Sequence, residues 1–105
     1  MKTLLFASCC VLLTATAPAL AGDAAAGREK SKTCAACHGP DGNSASADFP
    51  RLAGQHYDYL VRAISEYKAG ARKNALMMPM VEKLTRRDVE DLAAYFSQQK
   101  GLVTK

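Results

Sequence analysis

The segment Cys34-Ala35-Ala36-Cys37-His38 decides how the rest of the chain is interpreted. Its C-x-x-C-H spacing is typical of covalent haem attachment. Two thiols separated by two residues on a helical turn can reach the two vinyl groups on one edge of a porphyrin. The next residue then lies under the macrocycle, where a ring nitrogen can bind iron. We therefore expect one haem c, attached through Cys34 and Cys37, with His38 as an axial ligand.

Two other uses of these cysteines are less well supported by the sequence. A structural zinc site needs a fourth ligand at a suitable spacing, and the only other histidine, His56, has no cysteine near it. A thioredoxin-like C-x-x-C pair is found within a βαβ pattern, and this sequence contains no strand pattern. Haem attachment is therefore the interpretation that the motif favours.

The first 21 residues have the pattern of a secretory signal peptide. Lys2 gives a positive start, residues 4–13 are apolar, and Ala19-Leu20-Ala21 is an A-x-A cleavage signal. We predict cleavage after Ala21, a periplasmic location, and one domain over residues 22–105. The polar residues between Leu4 and Ala21 argue against a transmembrane interpretation of this segment, and we expect no membrane span in the mature form. A lipid anchor at Cys9 is left open as an alternative.

Composition and charge limit the classes of partner. The chain has 105 residues, with 14 basic and 10 acidic side chains and a net charge of +4 at pH 7. Basic and aromatic residues are not interleaved in a dense cluster, so we expect no nucleic-acid binding. A mildly basic surface suits transient docking to acidic protein partners. Cys9 and Cys10 lie in the predicted signal peptide, which leaves no disulfide framework for the mature domain.

The sequence predicts an all-α fold with three main helices and long loops. The first helix is expected over about residues 24–35, where Gly27 is unusual because glycine costs about 1 kcal/mol inside a helix. A close crossing with the last helix, with Tyr95 or Phe96 facing the gap, would explain this glycine. A frayed first turn is the alternative.

The other two helices have clear ends. The second begins at Tyr57 and stops at Gly70. The last begins after Thr85, which forms an approximate capping box with Asp88, and is expected to close at Lys100 and Gly101. The second helix carries an apolar stripe, which predicts a buried face; its members are Tyr57, Leu60, Ile64 and Tyr67.

Two loops could complete a haem site. Met77-Met78-Pro79-Met80 does not resemble a helix interior, and methionine is a common second ligand to haem iron. Spacing alone does not choose among Met77, Met78 and Met80, and methionines also fill gaps in cores. In the other loop, the carbonyl of Pro50 is a candidate acceptor for the second ring N–H of a ligating histidine.

Three segments give the chain a specific resemblance. The sequence resembles class I c-type cytochromes in three places. Their haem turn matches residues 34–39 and 41–43, the following loop matches residues 49–55, and the C-terminal helix matches residues 91–96. The similarity covers nearly the whole mature chain and is strongest to small bacterial periplasmic members and to one half of their tandem dihaem relatives. It implies the cytochrome c fold, with Met77, seven residues before Leu84, as the second axial ligand. It also implies that Pro50 accepts the hydrogen bond from the axial histidine.

The resemblance further implies a function. A haem with histidine and methionine in both axial positions has no open site for a substrate, so we expect an electron carrier and not an enzyme. We expect a soluble periplasmic monomer that exchanges single electrons with redox partners such as membrane respiratory complexes, docking near the C-x-x-C turn. The alternatives are a haem enzyme or gas sensor with a labile sixth ligand, and a module of a larger complex.

Overall fold

The described part of the chain is built from helices. The computed structural model describes residues 3–7, 10–12 and 22–101. Within them lie α1 (Ala24–Lys30), α2 (Lys32–His38), α3 (Tyr57–Ala69), α4 (Met77–Val81) and α5 (Arg86–Ser97), without a strand. The predicted all-α class is therefore confirmed. No helix of these residues has the length and apolarity to cross a membrane. Cys9 and the predicted cleavage signal lie outside the described residues.

The prediction of one continuous first helix was wrong, because the chain forms α1 and α2 with a break at Ser31. The Ser31 hydroxyl donates to the Arg28 carbonyl at 2.7 Å. The Ser31 N–H lies 2.8 Å from the Gly27 carbonyl and 3.3 Å from that of Arg28. A serine hydroxyl that bonds to the preceding turn competes with the regular helical pattern. The haem-attachment motif therefore lies on its own short helix, which runs on to His38.

The crossing of α1 and α5 explains the glycine in the first helix. A Cβ atom at Gly27 would lie 1.9 Å from the backbone oxygen of Asp91 and 2.8 Å from Cβ of Tyr95. No real side chain fits at such distances, so glycine is required for the two backbones to approach. The predicted close crossing, with Tyr95 at the gap, is confirmed.

A buried carboxylate joins the same two helices. Asp91, on α5, is 1% exposed. Its two oxygens lie 2.6 Å from Nζ of Lys30 and 3.1 Å from Nε of Arg87, and it accepts the N–H of Asp23 at 2.8 Å. The hydrogen bond from Lys30 is the main cause that lowers the pKa of Asp91. Buried charges are tolerated when they are paired in this way, so α1 is tied to α5 by both packing and charge.

The second predicted helix is confirmed at both ends, and its apolar face packs against α5. Leu60 belongs to the same buried cluster as Leu92 and Phe96, while Tyr57 and Ile64 pack against its edge. The α3 helix ends at Gly70 in the left-handed conformation, with φ of 78°. This is the usual way for a glycine to end a helix.

The capping box of α5 is also confirmed, but its predicted end is not. The Thr85 hydroxyl accepts the N–H of Asp88 at 3.1 Å, and the Asp88 carboxylate accepts the N–H of Thr85 at 2.9 Å. The helix ends at Ser97, before the predicted residues. The Phe96 carbonyl there accepts from the N–H of Gly54 at 3.0 Å. A carbonyl in the last turn of the helix is thus bonded to the loop that contains Gly54.

Candidate haem site

The two cysteines of the motif lie one turn apart on α2. Neither forms a disulfide; Cys34 is half-buried against the core cluster, whereas Cys37 is exposed. Burial raises the pKa of the Cys34 thiol. Residues three apart on a helix share one face. A planar group linked to both sulfurs would therefore lie along this face of α2.

His38 follows at the end of α2 and is held in a defined orientation. The residue is 6% exposed, and its Nδ1 lies 2.8 Å from the carbonyl oxygen of Pro50. A carbonyl only accepts hydrogen bonds, so Nδ1 carries the proton. The lone pair then belongs to Nε2, as in histidines that bind metals through that nitrogen. The ring of Phe49 lies edge-on to His38, with 6.5 Å between centroids.

The loop that contains Pro50 is stabilised by hydrogen bonds between its own residues. The Gly42 carbonyl accepts the N–H groups of Leu52 and Ala53, at 2.8 Å and 3.2 Å. The Ser44 hydroxyl donates to the Phe49 carbonyl at 2.5 Å. Gly42 has φ of 85°, and a Cβ there would lie 2.7 Å from the nitrogen of Ala53. The loop therefore requires glycine at this position.

The α5 helix and the residues after it form hydrogen bonds with the same loop. The Tyr95 hydroxyl donates to the Pro40 carbonyl at 2.7 Å, and the Asn43 side chain donates to the Lys100 carbonyl at 2.9 Å. Sequence reasoning found Tyr95 as a packing residue but not as a hydrogen-bond donor. The neighbouring sequence does not predict this hydrogen bond, because the acceptor lies 55 residues away in the chain.

The methionine segment forms α4, a short helix that was not predicted. Pro79 is the third residue of this helix, and the first N–H groups of a helix have no partner within it. Proline is therefore tolerated there. The expectation that the methionines lie in an irregular loop was therefore wrong, because Met77–Val81 is helical.

The faces of α4 distinguish the three methionines. Met77 shares a face with Val81, four residues on, which is 3% exposed. Leu84, beyond the end of α4, packs against the core cluster. Met78 and Met80 are 37% and 54% exposed, whereas Met77 is only half-exposed. The inward position on α4 thus belongs to Met77.

Asn74 holds the backbone just before this position. Its side-chain oxygen accepts the N–H groups of Leu76 and Met77, at 2.9 Å and 3.0 Å. Its carbonyl accepts the N–H of Met78 at 3.0 Å. Sequence reasoning missed this cap. The signal was present, because asparagine is favoured at the start of a helix, but no helix was expected at these residues.

Side chains of α3 hold the rest of the methionine segment. The Arg72 guanidinium lies over the Tyr67 and Tyr59 rings, 5.4 Å and 5.9 Å from their centroids, within the range of cation–π attraction. The backbone N–H of Arg72 donates to the Glu66 carbonyl at 3.1 Å. At the other end, Lys68 donates to the carbonyl of Leu84.

The predicted site residues thus come together in two groups. Cys34, Cys37 and His38 share one helix, and Pro50 is bonded to the histidine. Met77 belongs to a separate segment that packs on α3 through α4. Two cysteines one helical turn apart, next to a buried histidine whose Nδ1 is bonded to a carbonyl, fit haem attached through thioether bonds. Among the described residues, no cluster of histidine, cysteine and carboxylate side chains suits a metal ion instead.

Known proteins are similar to this chain in sequence and in fold. The family profile "Cytochrome c" matches residues 24–100. The crystal structure of reduced recombinant cytochrome c4 from Pseudomonas stutzeri is similar, with a TM-score of 0.75, 48% identity, and coverage of 79% of this chain and 48% of that chain. Cytochrome c-554(548) from Halomonas halodenitrificans is 48% identical over 83 residues, which are 76% of this chain and all of that protein.

A less similar relative is the thiosulfate dehydrogenase electron acceptor of Thiomonas intermedia, 39% identical over 77 residues, 72% of this chain and 36% of that protein. The chain therefore spans about half the length, or less, of several relatives that it matches. Residues 24–100 contain only the cysteines Cys34 and Cys37. The chain belongs to the cytochrome c family, with the cytochrome c fold and covalently attached haem c.

Proposed function

We propose that this chain is a periplasmic single-electron carrier whose haem is attached through Cys34 and Cys37 and bound axially by His38 and Met77. The bound haem iron supplies a one-electron couple between its ferric and ferrous states. The protein takes an electron from a reduced redox protein and passes it to an oxidised one. Membrane respiratory complexes are the partners that we propose, and a monomer is the proposed state.

The hydrogen bond between His38 and Pro50 supports one half of this ligation. Because Nδ1–H donates to a carbonyl at 2.8 Å, Nε2 is the ring nitrogen that remains for iron. The bond also fixes the direction of the ring, which strengthens a histidine ligand. The role of Pro50 is therefore to orient the ligand through its backbone oxygen.

The position of Met77 is the observation that carries the carrier function. Met77 lies on the side of α4 that carries the buried Val81, and it is less exposed than Met78 and Met80. A methionine in this position fills the sixth coordination site and raises the reduction potential. With both axial positions filled, substrates and gases have no coordination site, which favours electron transfer over catalysis.

Single substitutions of the methionines test this proposal. In the purified holoprotein, Met77→Ala should abolish the iron–thioether charge-transfer band and allow rapid carbon monoxide binding to the reduced form. Met80→Ala is the matched control and should leave both properties unchanged. Loss of the band in Met80→Ala alone would assign the ligand to Met80. Rapid carbon monoxide binding to the unmodified protein would instead favour the gas-binding or peroxidase-like alternative.

The periplasmic location rests on the signal-peptide pattern of residues 1–21. Mass spectrometry of protein from a periplasmic extract should give a chain that begins at Gly22 and carries one haem. A chain that begins at a lipid-modified Cys9 would replace free diffusion with a membrane anchor. Elution with a stable partner would indicate a module of a larger complex.

A further inference from the structure

Ser44 is bonded to the residue just before Pro50. Its hydroxyl oxygen lies 2.5 Å from the carbonyl oxygen of Phe49, at the short end of the range for O–H···O hydrogen bonds. The same hydroxyl lies 3.1 Å from the Ser46 carbonyl, but a hydroxyl has only one proton to donate. The shorter contact takes that proton, so Ser44 holds the carbonyl of Phe49.

The peptide group between Phe49 and Pro50 has no second hydrogen bond to hold it. It carries no N–H, because proline lacks one, so its carbonyl oxygen is its only hydrogen-bonding atom. Among the described residues, the Ser44 hydroxyl is the only hydrogen-bond donor to that oxygen. The orientation of this peptide plane therefore depends on one serine side chain.

This peptide plane limits the direction of the Pro50 carbonyl. The proline ring locks φ at about −65°, so rotation about ψ of Pro50 is the only freedom between the two carbonyls. On the other side of Pro50, the N–H of Leu52 donates to the Gly42 carbonyl at 2.8 Å. Hydrogen bonds on both sides thus restrain the Pro50 carbonyl oxygen, which lies 2.8 Å from Nδ1 of His38.

A surface cleft gives water access to the same turn. The cleft has a volume of about 350 Å³, and Ser44, Phe49 and Pro50 are among the residues that line it. Without the Ser44 hydroxyl, the Phe49 carbonyl could turn toward water in this cleft, and the rotation would move the Pro50 carbonyl away from Nδ1 of His38. The Phe49 ring, whose centroid lies 6.5 Å from that of His38, would move as well.

We propose that Ser44 is a positioning residue for the axial histidine, and that its hydroxyl strengthens the hydrogen bond between His38 and Pro50 and thereby lowers the reduction potential of the haem. This inference rests on the proposed role of His38 as an iron ligand. A hydrogen bond at Nδ1 raises the basicity of a histidine ligand, which favours ferric over ferrous iron. Hydrogen bonding around an axial ligand is one of the means by which a protein adjusts a haem potential. Loss of the Ser44 hydroxyl should therefore raise the potential.

Two measurements on the purified holoprotein test this role. Potentiometric titration gives the reduction potential, and proton NMR of the reduced, diamagnetic form gives the exchange rate of the His38 Nδ1 proton with water. Ser44→Ala should shift the electron-transfer equilibrium with a reference couple about threefold toward the reduced protein, which is about 30 mV at 59 mV per tenfold for one electron. The exchange of the Nδ1 proton should become about fivefold faster, as expected for the loss of one hydrogen bond.

Two comparisons separate the effect of the hydroxyl from that of the loop. Ser46→Ala makes the same change two residues away, where the hydroxyl accepts the N–H of Asp48 at 3.2 Å, and it should leave the potential and the exchange rate unchanged. Ser44→Thr keeps a hydroxyl, whereas Ser44→Val has a methyl group in its place. The threonine variant should behave like the unmodified protein and the valine variant like Ser44→Ala. This pair decides the question even if Ser44→Ala does not mature.

A purely structural role for Ser44 would give a different result. Lower stability of Ser44→Ala with an unchanged potential and exchange rate would overturn the proposal. Equal shifts in Ser46→Ala, or equal behaviour of the threonine and valine variants, would overturn it as well. All three results require a reversible haem couple and so leave the electron carrier in place. An unmodified holoprotein without such a couple would instead refute the proposed function itself.

Discussion

The two segments that supply the proposed iron ligands are held in different ways. The loop over residues 39–55, which orients His38, is tied by hydrogen bonds to backbone carbonyls and by the end of α5, including Tyr95 to Pro40 and Gly54 to Phe96. The segment over residues 70–84, which carries Met77, is held by polar side chains of α3 and by its own Asn74.

This difference predicts unequal local stability. Buried and half-buried hydrogen bonds contribute about 1 kcal/mol each and are costly to leave unmade. The hydrogen bonds that hold the methionine segment are exposed, so water can replace their partners. The methionine side should therefore open more readily than the histidine side. An electron carrier with this arrangement would keep its histidine bond under conditions in which the thioether bond is lost.

The largest contrast is expected from the two left-handed glycines. Gly42, in the histidine loop, and Gly70, before the methionine segment, have φ of 85° and 78°. A Cβ at Gly42 would meet Ala53 and Phe96 within 2.8 Å, while nothing lies within 4 Å of a Cβ at Gly70. Both alanine variants incur about 1–2 kcal/mol of backbone strain. Gly42→Ala should lose a further amount of about 1–3 kcal/mol from overpacking.

Denaturant unfolding of the two holoprotein variants measures this difference directly. Both substitutions add the same methyl group at a similar positive φ, so Gly70→Ala is the control for strain. Equal free energies of unfolding would mean that the histidine loop adapts to the added atom, and the contrast between the two segments would not hold.

The next contrast uses the two asparagines. Asn74→Ala removes the cap of the methionine segment and should cost that segment about 1 kcal/mol. Exogenous imidazole should then displace the thioether with about fivefold higher affinity for the ferric protein. The prediction rests on Met77 as the ligand. Spectroscopic titration with imidazole measures the affinity, and thermal unfolding measures global stability.

Asn43 is the matched control on the histidine side. Its side chain bonds to Asp41 and to the Lys100 carbonyl. Asn43→Ala should therefore lower the melting temperature without raising the imidazole affinity. If both variants raised the affinity equally, the two segments would open as one unit, and the distinction between them would be lost.

The smallest effect is expected from lowering the pH, which weakens the hydrogen bonds of Asp88 at the start of α5. Hydrogen bonds from Lys30 and from Thr85 lower the pKa of Asp88 from 3.8 to about 2. Since the folded pKa lies below the unfolded one, this contribution is complete above about pH 4 and is lost as the pH falls toward 2. Asp88→Asn should therefore show a shallower loss of stability over this interval than the unmodified protein. Melting temperatures across this pH range test the prediction, with Asp48→Asn, in an exposed loop, as the control that should keep the original slope.

Local signals predicted most of the helices and part of the site. The Thr85–Asp88 capping box, the stop at Gly70 and the stripe through Leu60 each depend on a few neighbouring residues, and each is present in the structure. The break at Ser31 and the helix at Met77–Val81 were missed. The first depends on a serine hydroxyl that competes for a helical carbonyl, and the second on a proline placed in the first turn of a helix, where it is tolerated. Average propensities resolve neither.

The sequence by itself determined haem attachment and the helical class, because these follow from residues within a few positions of one another. C-x-x-C-H specifies its chemistry within five residues, and helix ends are set by their own caps. Only the tertiary structure decided which residues far apart in the chain bond to each other, through Asp23 and Asp91 and through Tyr95 and Pro40. It also decided which methionine faces inward on α4. These choices depend on contacts between residues distant in sequence, where distance and burial select one partner among several that the sequence allows.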